Sequence, residues 1–470
     1  MSDTHFGAEN SILSHVPEGT TRVDPETPSA VLSQLVACLR TVVDTNTDER
    51  PPTLILHGDI LELALADDNV AAMSFAGFIR LAFAGDRPLF DDRIYYVPGN
   101  HDHHLWETAR ERQYAHYIRG LAPGVAIGPP WHVTRLFEEP STVTPEAELL
   151  NAVLSRLADR DLSVRVVYPN LGIESGDGER VIVVHHGHFT EPLYRLMSSL
   201  KAGLFPTQPS AREIWEWESD NFAWIDFFWS TLGRSGAAGV DVGLVYDMLQ
   251  DKDALGRLAA NLARFISGQL RNEFRPPASL VLTPLARWLV PKVATLERSV
   301  PDIVLSNKTV VGLHEYLSGP VRLQLERERT GSPGRELTFV FGHTHKPFER
   351  AEQVNGFPRP VSVVNSGGWV VDTKTTSAVQ GAAVILIDAD CGVASLRMYN
   401  QSDDPSSYAV RLMDAGSARD RALQTRLSAM LLFAATPWTT FSTEVAKAVT
   451  DRHRLLPLLI EEAVALTKEN

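Results

Sequence analysis

The sequence predicts an α/β fold with additional antiparallel strands and a helical insertion. Five short apolar runs end in polar clusters, as buried strands that carry polar loops at their C-terminal ends do. Segments with helical periodicity separate the first of these runs, and a long helical region interrupts them in the middle of the chain. This alternation of strands and helices is typical of α/β architecture.

The predicted elements follow in chain order. The strand and loop units are TLILHGD (53–59), RIYYVPGNHD (93–102), RVIVVHHGH (180–188), LTFVFGHTH (337–345) and VSVVNSGG (361–368). Helices are predicted over 28–43 and 70–84, where apolar residues recur at helical spacing, and a hairpin over 381–399 with its turn at 390–392.

These elements predict four regions along the chain. Residues 1–189 and 336–400 form the two parts of a catalytic core, 190–335 form a mainly helical insertion or lid, and 401–470 form a C-terminal helical region. The insertion contains WEWESDNFAWIDFFW (215–229), which is dense in aromatic residues. Either its aromatic face packs on the core, or it shelters an apolar, lipid-like portion of a substrate or touches a membrane surface.

The composition favours a globular protein and disfavours nucleic-acid-binding, disulfide-rich and membrane-spanning classes. The chain has 470 residues, 44% of them hydrophobic, which is enough for at least one large core. Its formal net charge of −14 disfavours nucleic acid as a partner, although a local basic groove stays open. The two cysteines, Cys38 and Cys391, predict neither a disulfide framework nor a thiolate metal site. No apolar stretch is long enough to span a bilayer, so we expect a cytoplasmic enzyme without a transmembrane segment.

Five polar loops together predict a metal site. Each alone is a weak signal, but jointly they supply carboxylate, imidazole and amide oxygen ligands without thiolate. Because each follows a strand of what we take to be one sheet, we expect them to meet at one edge. The residues concerned are Asp3 and His5, Asp59, Asn100 with His101 and Asp102, His185 with His186 and His188, and His343 with His345.

In these loops the chain resembles the calcineurin-like metallophosphoesterase superfamily. The family pattern runs DxH, GDxx(D/E), GNH(D/E), a His-Gly pair and GHxH, and all five blocks occur here in that order. The resemblance covers residues 2–102, 181–188 and 337–371. It implies a four-layer α/β/β/α sandwich of the metallophosphoesterase type, with the helical insertion and the C-terminal region outside the matched part.

The resemblance also implies a ligand set for two divalent ions, with manganese, iron or zinc as candidates. One ion is expected at Asp3, His5 and His345, the other at Asn100, His186 and His343, with Asp59 bridging both. A hydroxide between the ions is then expected to attack phosphorus of a phosphate monoester or diester, while His101 assists the leaving group. Manganese-dependent phosphatase or phosphodiesterase activity is the expectation.

Several neighbouring residues have predicted roles of their own. We expect Asp102 to accept a hydrogen bond from His101 and so take part in catalysis. His186 is favoured as the ligand over His185 and His188, and His188 is a candidate substrate contact. The remaining expectations are that His57 is structural, that His103 and His104 are loop residues, and that Glu62 supports its own loop.

Two other functions stay open. One is a DNA or RNA nuclease of the same superfamily, which the acidic balance disfavours. The other is a catalytically silent interaction scaffold, although such members typically lose ligands and none is missing here.

The first block begins at Asp3, and relatives place a core strand before it. Because that strand is missing ahead of Met1, we expect the natural start to lie upstream. The alternative is that Met1 and Ser2 alone hold Asp3 at the metals.

Overall fold

A computed structural model describes residues 1–46, 50–138, 145–157, 160–207, 209–226, 302–329, 335–373, 375–413 and 420–466. Its strands are β1 (Leu54–His57), β2 (Arg93–Val97), β3 (Ser163–Val166), β4 (Asn170–Glu174), β5 (Arg180–His185), β6 (Glu336–Phe341), β7 (Phe348–Glu352), β8 (Val361–Asn365), β9 (Gly381–Ile387), β10 (Val393–Asn400) and β11 (Arg411–Met413). Its helices are α1 (Ala30–Val43), α2 (Asp68–Ala82), α3 (His104–Gly120), α4 (Glu148–Ser155), α5 (Leu196–Leu204), α6 (Ile214–Asp226), α7 (Asn307–Tyr316), α8 (Arg322–Glu328), α9 (Arg421–Phe433) and α10 (Ala435–Leu466).

The mixed α/β class and all five predicted strands are confirmed, but the strands do not share one sheet. β1, β2 and β3 form a parallel sheet, whereas β5, β6 and β8 are the parallel centre of a second sheet in the order β4-β5-β6-β8-β7. The prediction of a single sheet edge is therefore wrong. Strand periodicity reports that a segment is buried on both faces, but not which sheet it joins.

Alternation along the strands sends side chains into different apolar clusters. In β5, Val181 and Val183 join one cluster, while Ile182 and Val184 join another. The second of these clusters also contains Val97, at the end of β2. The two sheets therefore share apolar contacts through one face of each.

Helices cover the outward faces of these sheets. α1 begins after Ser29, whose hydroxyl accepts a hydrogen bond from Leu32 N at 3.0 Å, and it buries Leu35 and Leu39 in the cluster that also receives Leu56 of β1. The predicted helices over 28–43 and 70–84 are confirmed as α1 and α2.

The predicted hairpin is confirmed, but the C-terminal region is not all helical, because β11 within it pairs antiparallel with β10. β9 and β10 pair antiparallel around 388–392, and α9 and α10 follow. α10 buries Phe441 and Val445 in the same cluster as α1.

The described parts of the insertion, 190–207, 209–226 and 302–329, are mainly helical. In α6, Trp217 is buried against Phe189 and Tyr316, at 6.0 and 5.8 Å between ring centroids. Trp215 on the same helix is 43% exposed. Packing on the core thus accounts for part of the aromatic segment, and residues 227–229 lie outside the described chain.

Residues 1–6 lie in parallel beside β1 and the loop that follows it. Met1 N donates to Ile55 O at 3.0 Å, His57 N donates to Met1 O at 3.0 Å, and Asp3 N donates to Gly58 O at 2.9 Å. Asp3 is fully buried. Backbone pairing of a type that sequence patterns do not reveal therefore holds the segment that carries Asp3.

Among the helices of the described chain, none is both long and apolar enough to cross a membrane.

Candidate metal centre

The polar loops after β1, β2, β5 and β6 meet at one place even though they come from two sheets. Each sheet is parallel at its centre, so the loops of each lie at one edge, and the two edges face the same space. The predicted ligands lie in two groups of donors there. These groups are Asp3 with His5 and His345, and Asp59 with His186 and His343, each with its donor atoms within 4.8 Å of one another.

The first donor group joins the first and last blocks of the motif set. His345 Nε2 lies 3.3 Å from Asp3 Oδ1, and His5 completes the group. The carboxylate of Asp3 also accepts hydrogen bonds from His343 N at 2.9 and 3.0 Å. Residues that are 340 positions apart in sequence are thereby held together.

The second donor group centres on His186. Its Nε2 lies 3.0 Å from Asn100 Oδ1, 3.1 Å from His343 Nδ1 and 3.3 Å from Asp59 Oδ2. Asp59 Oδ2 is also 3.9 Å from His5 Nε2. Asp59 therefore stands between the two groups, where the sequence predicted it.

Outer contacts orient the four imidazoles. His5 Nδ1 lies 2.8 Å from Glu62 Oε2, and His345 Nδ1 lies 2.8 Å from Asp372 Oδ2. His343 Nε2 is 2.9 Å from Glu191 Oε1, and His186 Nδ1 is 3.4 Å from His57 O. Because carboxylates accept, a neutral His5 or His345 carries its proton on Nδ1 and directs the Nε2 lone pair into the cluster, as histidine metal ligands do.

These residues can hold metal ions. His5 Nε2 is buried and has no hydrogen-bond partner among the described residues. Ligands that lie about 2.0–2.2 Å from a common ion are themselves about 3–3.5 Å apart, and several donor pairs of both groups have this spacing. Nitrogen and oxygen donors without thiolate suit several divalent ions, so the set leaves metal identity open.

In this site, nearby imidazoles offset the unfavourable effect of burial on the charged form of Asp59. Burial alone would raise the pKa of Asp59, but His186 and His101 hold it well below its usual range. Burial likewise opposes the charged form of His186, yet Asp59 raises the pKa of this imidazole to about 9. Carboxylates that remain ionised in a buried site are what a divalent cation requires.

Backbone strain is concentrated at the ligands. Among the described residues, the non-glycine residues with positive φ are Asp3 (49°), His5 (44°), Asp59 (51°), His343 (69°), His345 (58°) and Cys391 (56°). All but the last are predicted ligands. Such conformations cost of the order of 1–3 kcal/mol each and persist where the surrounding structure enforces them, often at functional sites.

Close packing explains two glycines of the motifs. A Cβ on Gly58 would lie 2.1 Å from His186 Nδ1, and one on Gly342 would lie 2.1 Å from Asp3 Oδ2. Both glycines precede a ligand, so the GD and GH pairs of the motif set reflect space for a ligand from another loop.

The predicted contact between Asp102 and His101 is wrong. His101 Nδ1 lies 2.8 Å from Glu62 Oε1, whereas Asp102 accepts from Ile60 N at 2.8 Å, from Gly99 N at 2.6 Å and from the Tyr96 hydroxyl. Asp102 faces inward and organises the loop backbone. Chain adjacency favoured it in the sequence analysis, but successive side chains in this turn point in different directions.

Glu62 has the role that was assigned to Asp102, in addition to supporting its own loop. One carboxylate oxygen contacts His101 and the other contacts His5, and Glu62 also accepts from Leu65 N at 3.1 Å. His101 itself lies with His5 and Asp59, donor atoms within 4.8 Å of one another. A single carboxylate thus contacts both a predicted ligand and the predicted catalytic histidine.

His185, the last residue of β5, and His186 and His188 in the loop after it have different surroundings. His186 joins the donors, while His185 lies against Tyr316 at 4.7 Å between ring centroids, and neither of its nitrogens has a partner among the described residues. His188 is also buried, with Nε2 3.3 Å from the Tyr168 hydroxyl oxygen. Its ring lies 5.6 Å from that of His186, so a role in substrate contact stays a prediction.

His103 lies in the turn before α3, as a loop residue, whereas His104 is the first residue of that helix, so its assignment to a loop is wrong. His103 is buried, and its Nε2 lies 3.1 Å from Glu218 Oε1 of α6. Glu218 also accepts from the Tyr168 hydroxyl at 3.0 Å. Burial opposes the charged form of His103, but Glu218 raises its pKa above the ordinary value. The insertion is thereby joined to the loop that carries Asn100 and His101. His104 is partly exposed, 3.6 Å from Asp226.

Sequence reasoning missed Glu191 and Asp372, the carboxylates behind His343 and His345. Neither belongs to a motif block, and each is distant in sequence from the histidine that it contacts. Their one signal is that an acidic residue occurs within a few positions of a motif.

Compared with known proteins, the sequence matches no family model and no curated protein.

Proposed function

We propose that this protein is a hydrolase of phosphate esters that works with two divalent metal ions, with manganese, iron or zinc as candidates. The observation that carries the proposal is the position of Asp59 Oδ2, which is 3.9 Å from His5 Nε2 and 3.3 Å from His186 Nε2. A carboxylate shared by two donor groups is the arrangement that two-metal hydrolases use. In this proposal one ion is held by Asp3, His5 and His345, and the other by Asn100, His186 and His343.

The bound ions supply Lewis acidity toward the phosphoryl oxygens and acidify a water molecule. His101 supplies the proton for the leaving oxygen. Its Nδ1–H is directed at Glu62 Oε1, so Nε2 is the nitrogen that gives and regains the proton. Glu62 stays ionised beside His101: burial alone would raise the pKa of its carboxyl, but His101 and His5 lower that pKa below its usual range.

We propose that the two sheets form the inner layers of a four-layer α/β/β/α sandwich. The support is the distribution of apolar side chains, since Val97 of one sheet and Val184 of the other share a cluster, and helices cover their outer faces. In this arrangement the shared edge of the two sheets is the site itself.

The insertion borders the site in this proposal and contacts the part of the substrate beyond the phosphate. Glu218 of α6 bonds to His103, two residues from His101, and Trp215 of the same helix is exposed. An apolar substrate portion would lie against this region.

The test is hydrolysis of nitrophenyl phosphate and bis-nitrophenyl phosphate by chelator-treated protein with added manganese. We expect release of nitrophenol, and a loss of about 100-fold or more for His101→Gln, because proton donation contributes about 10²–10⁴. Asp59→Asn should lose activity and metal together, since it removes the shared ligand. His116→Gln, on the exposed surface of α3, is the matched control. Equal rates in wild type, Asp59→Asn and His101→Gln would refute the proposal, and the preferred ester would separate phosphatase from phosphodiesterase.

A further inference from the structure

A buried arginine in the middle of α10 binds the backbone just after the first metal block. Arg452 is 7% exposed. Its Nε and Nη2 donate to Ser11 O at 3.2 and 3.1 Å, and Nη2 also donates to Ser14 O at 2.7 Å. A planar guanidinium with several fixed donors is suited to holding two carbonyls in one geometry.

The two serines that Arg452 holds are themselves bonded to the ligand loop. The Ser11 hydroxyl donates to Thr4 O at 2.7 Å, and the Ser14 hydroxyl accepts from Gly7 N at 3.0 Å. Thr4 lies between Asp3 and His5 in the chain. Ser11 therefore connects Arg452 of α10 with the residue that lies between the two predicted ligands.

The same segment is paired with the chain behind the third ligand. Ser11 forms an antiparallel bridge with Val370, and Val371 N donates to Asn10 O at 3.0 Å. The next residue, Asp372, is 2.8 Å from His345 Nδ1. The segment that Arg452 binds is thus bonded on one side to the chain between Asp3 and His5, and on the other side to the chain that leads to the partner of His345.

A second contact from α10 acts on Asp3. Phe441 packs edge-on against Trp369, with 6.4 Å between ring centroids, and Trp369 N donates to Asp3 O at 2.9 Å. Asp3 and His5 both have left-handed backbone conformations, and such conformations need support from their surroundings.

We infer that α10 is a brace for one of the two metal positions, with Arg452 as the positioning residue of the group Asp3, His5 and His345. The inference rests on the proposed function in that these residues are taken as metal ligands. The described outer contacts of the second donor group come from His57 O and Glu191, which belong to other parts of the chain. Loss of Arg452 should therefore weaken one metal position and spare the other.

The experiment is calorimetric titration of chelator-treated protein with Mn²⁺, in two backgrounds that each keep one donor group. His343→Asn keeps the group that α10 braces, and His345→Asn keeps the other. We expect Arg452→Met to weaken Mn²⁺ binding about tenfold in the first background, the lower end of the range for residues behind metal ligands. In the second background the affinity should be unchanged. Circular dichroism checks that each variant is folded.

The controls decide between a specific brace and general destabilisation. Arg454→Met removes an exposed arginine two residues away and should leave both affinities unchanged. If Arg452→Met does not fold, Arg452→Lys decides, because lysine keeps the charge but cannot hold both carbonyls in the same way. Equal weakening in both backgrounds, or none in the first, would overturn the inference. Wild-type protein that binds no Mn²⁺ would overturn the proposed function as well.

Discussion

Glu62→Gln tests metal binding and proton transfer together, because Glu62 contacts both the predicted ligand His5 and the predicted catalytic residue His101. The substitution preserves the shape of the side chain but replaces one acceptor oxygen with a donating NH₂ group. Wild-type Glu62 contacts His5 Nδ1 and His101 Nδ1, each at 2.8 Å. Glutamine can accept from only one of them, so the other imidazole must move its proton to Nε2 or lose its partner.

The expected size follows from which imidazole is affected. If His5 moves its proton to Nε2, the nitrogen that faces Asp59 can no longer bind a metal. Loss of a carboxylate behind a metal ligand typically weakens metal binding about 10–100-fold, which corresponds to about 1.4–2.7 kcal/mol. If His101 is affected, its cationic form loses the anionic partner, and the rate at saturating metal should fall by a similar factor.

The assay measures nitrophenyl ester hydrolysis at a series of Mn²⁺ concentrations, which separates metal affinity from the rate at saturation. Glu191→Gln is the matched control, since it makes the same change behind His343 and should alter metal affinity alone. If Glu62→Gln has wild-type metal affinity and wild-type rate at saturation, the reasoning from the two contacts is refuted.

Three further predictions concern packing, pH and metal. Gly342→Ala should abolish metal binding at the Asp3 position, because the added Cβ would lie 2.1 Å from Asp3 Oδ2; Mn²⁺ titration checks this. Gly203→Ala in α5 has open space for its Cβ, so it should stabilise the folded protein by up to about 1 kcal/mol, which thermal unfolding checks. Glu218→Gln should lower the thermal midpoint more at pH 6 than at pH 9. The pKa of His103 is raised in the folded protein, so the ion pair of His103 with Glu218 contributes its full stability below the unfolded-state pKa and loses it as pH rises through the folded-state pKa. Equal losses at both pH values would contradict this prediction. Chelation should lower the thermal midpoint and added Mn²⁺ should restore it, since a ligand that binds only the folded state stabilises it; an unchanged midpoint would count against metal binding.

Much of the candidate site was accessible from sequence because its residues occur in short blocks at strand ends. Asp59, Asn100 and His343 each follow an apolar run directly, so a local pattern was enough to place them in a cluster. The role of Asp102 was misjudged for the same reason, since the local pattern offered it as the nearest carboxylate to His101. The actual partner, Glu62, is 39 residues away in the chain.

By itself, the sequence determined the α/β class, the five strands with their loops, and which side chains meet in the buried donor groups. These depend on periodicity and residue chemistry, which are properties of short segments. Only the tertiary structure decided that the loops come from two sheets and that Glu191 and Asp372 contact His343 and His345. It also decided that Arg452 of α10 binds the backbone just after the first block. These relations are contacts between segments up to 441 residues apart, and packing of whole elements, not local preference, selects them.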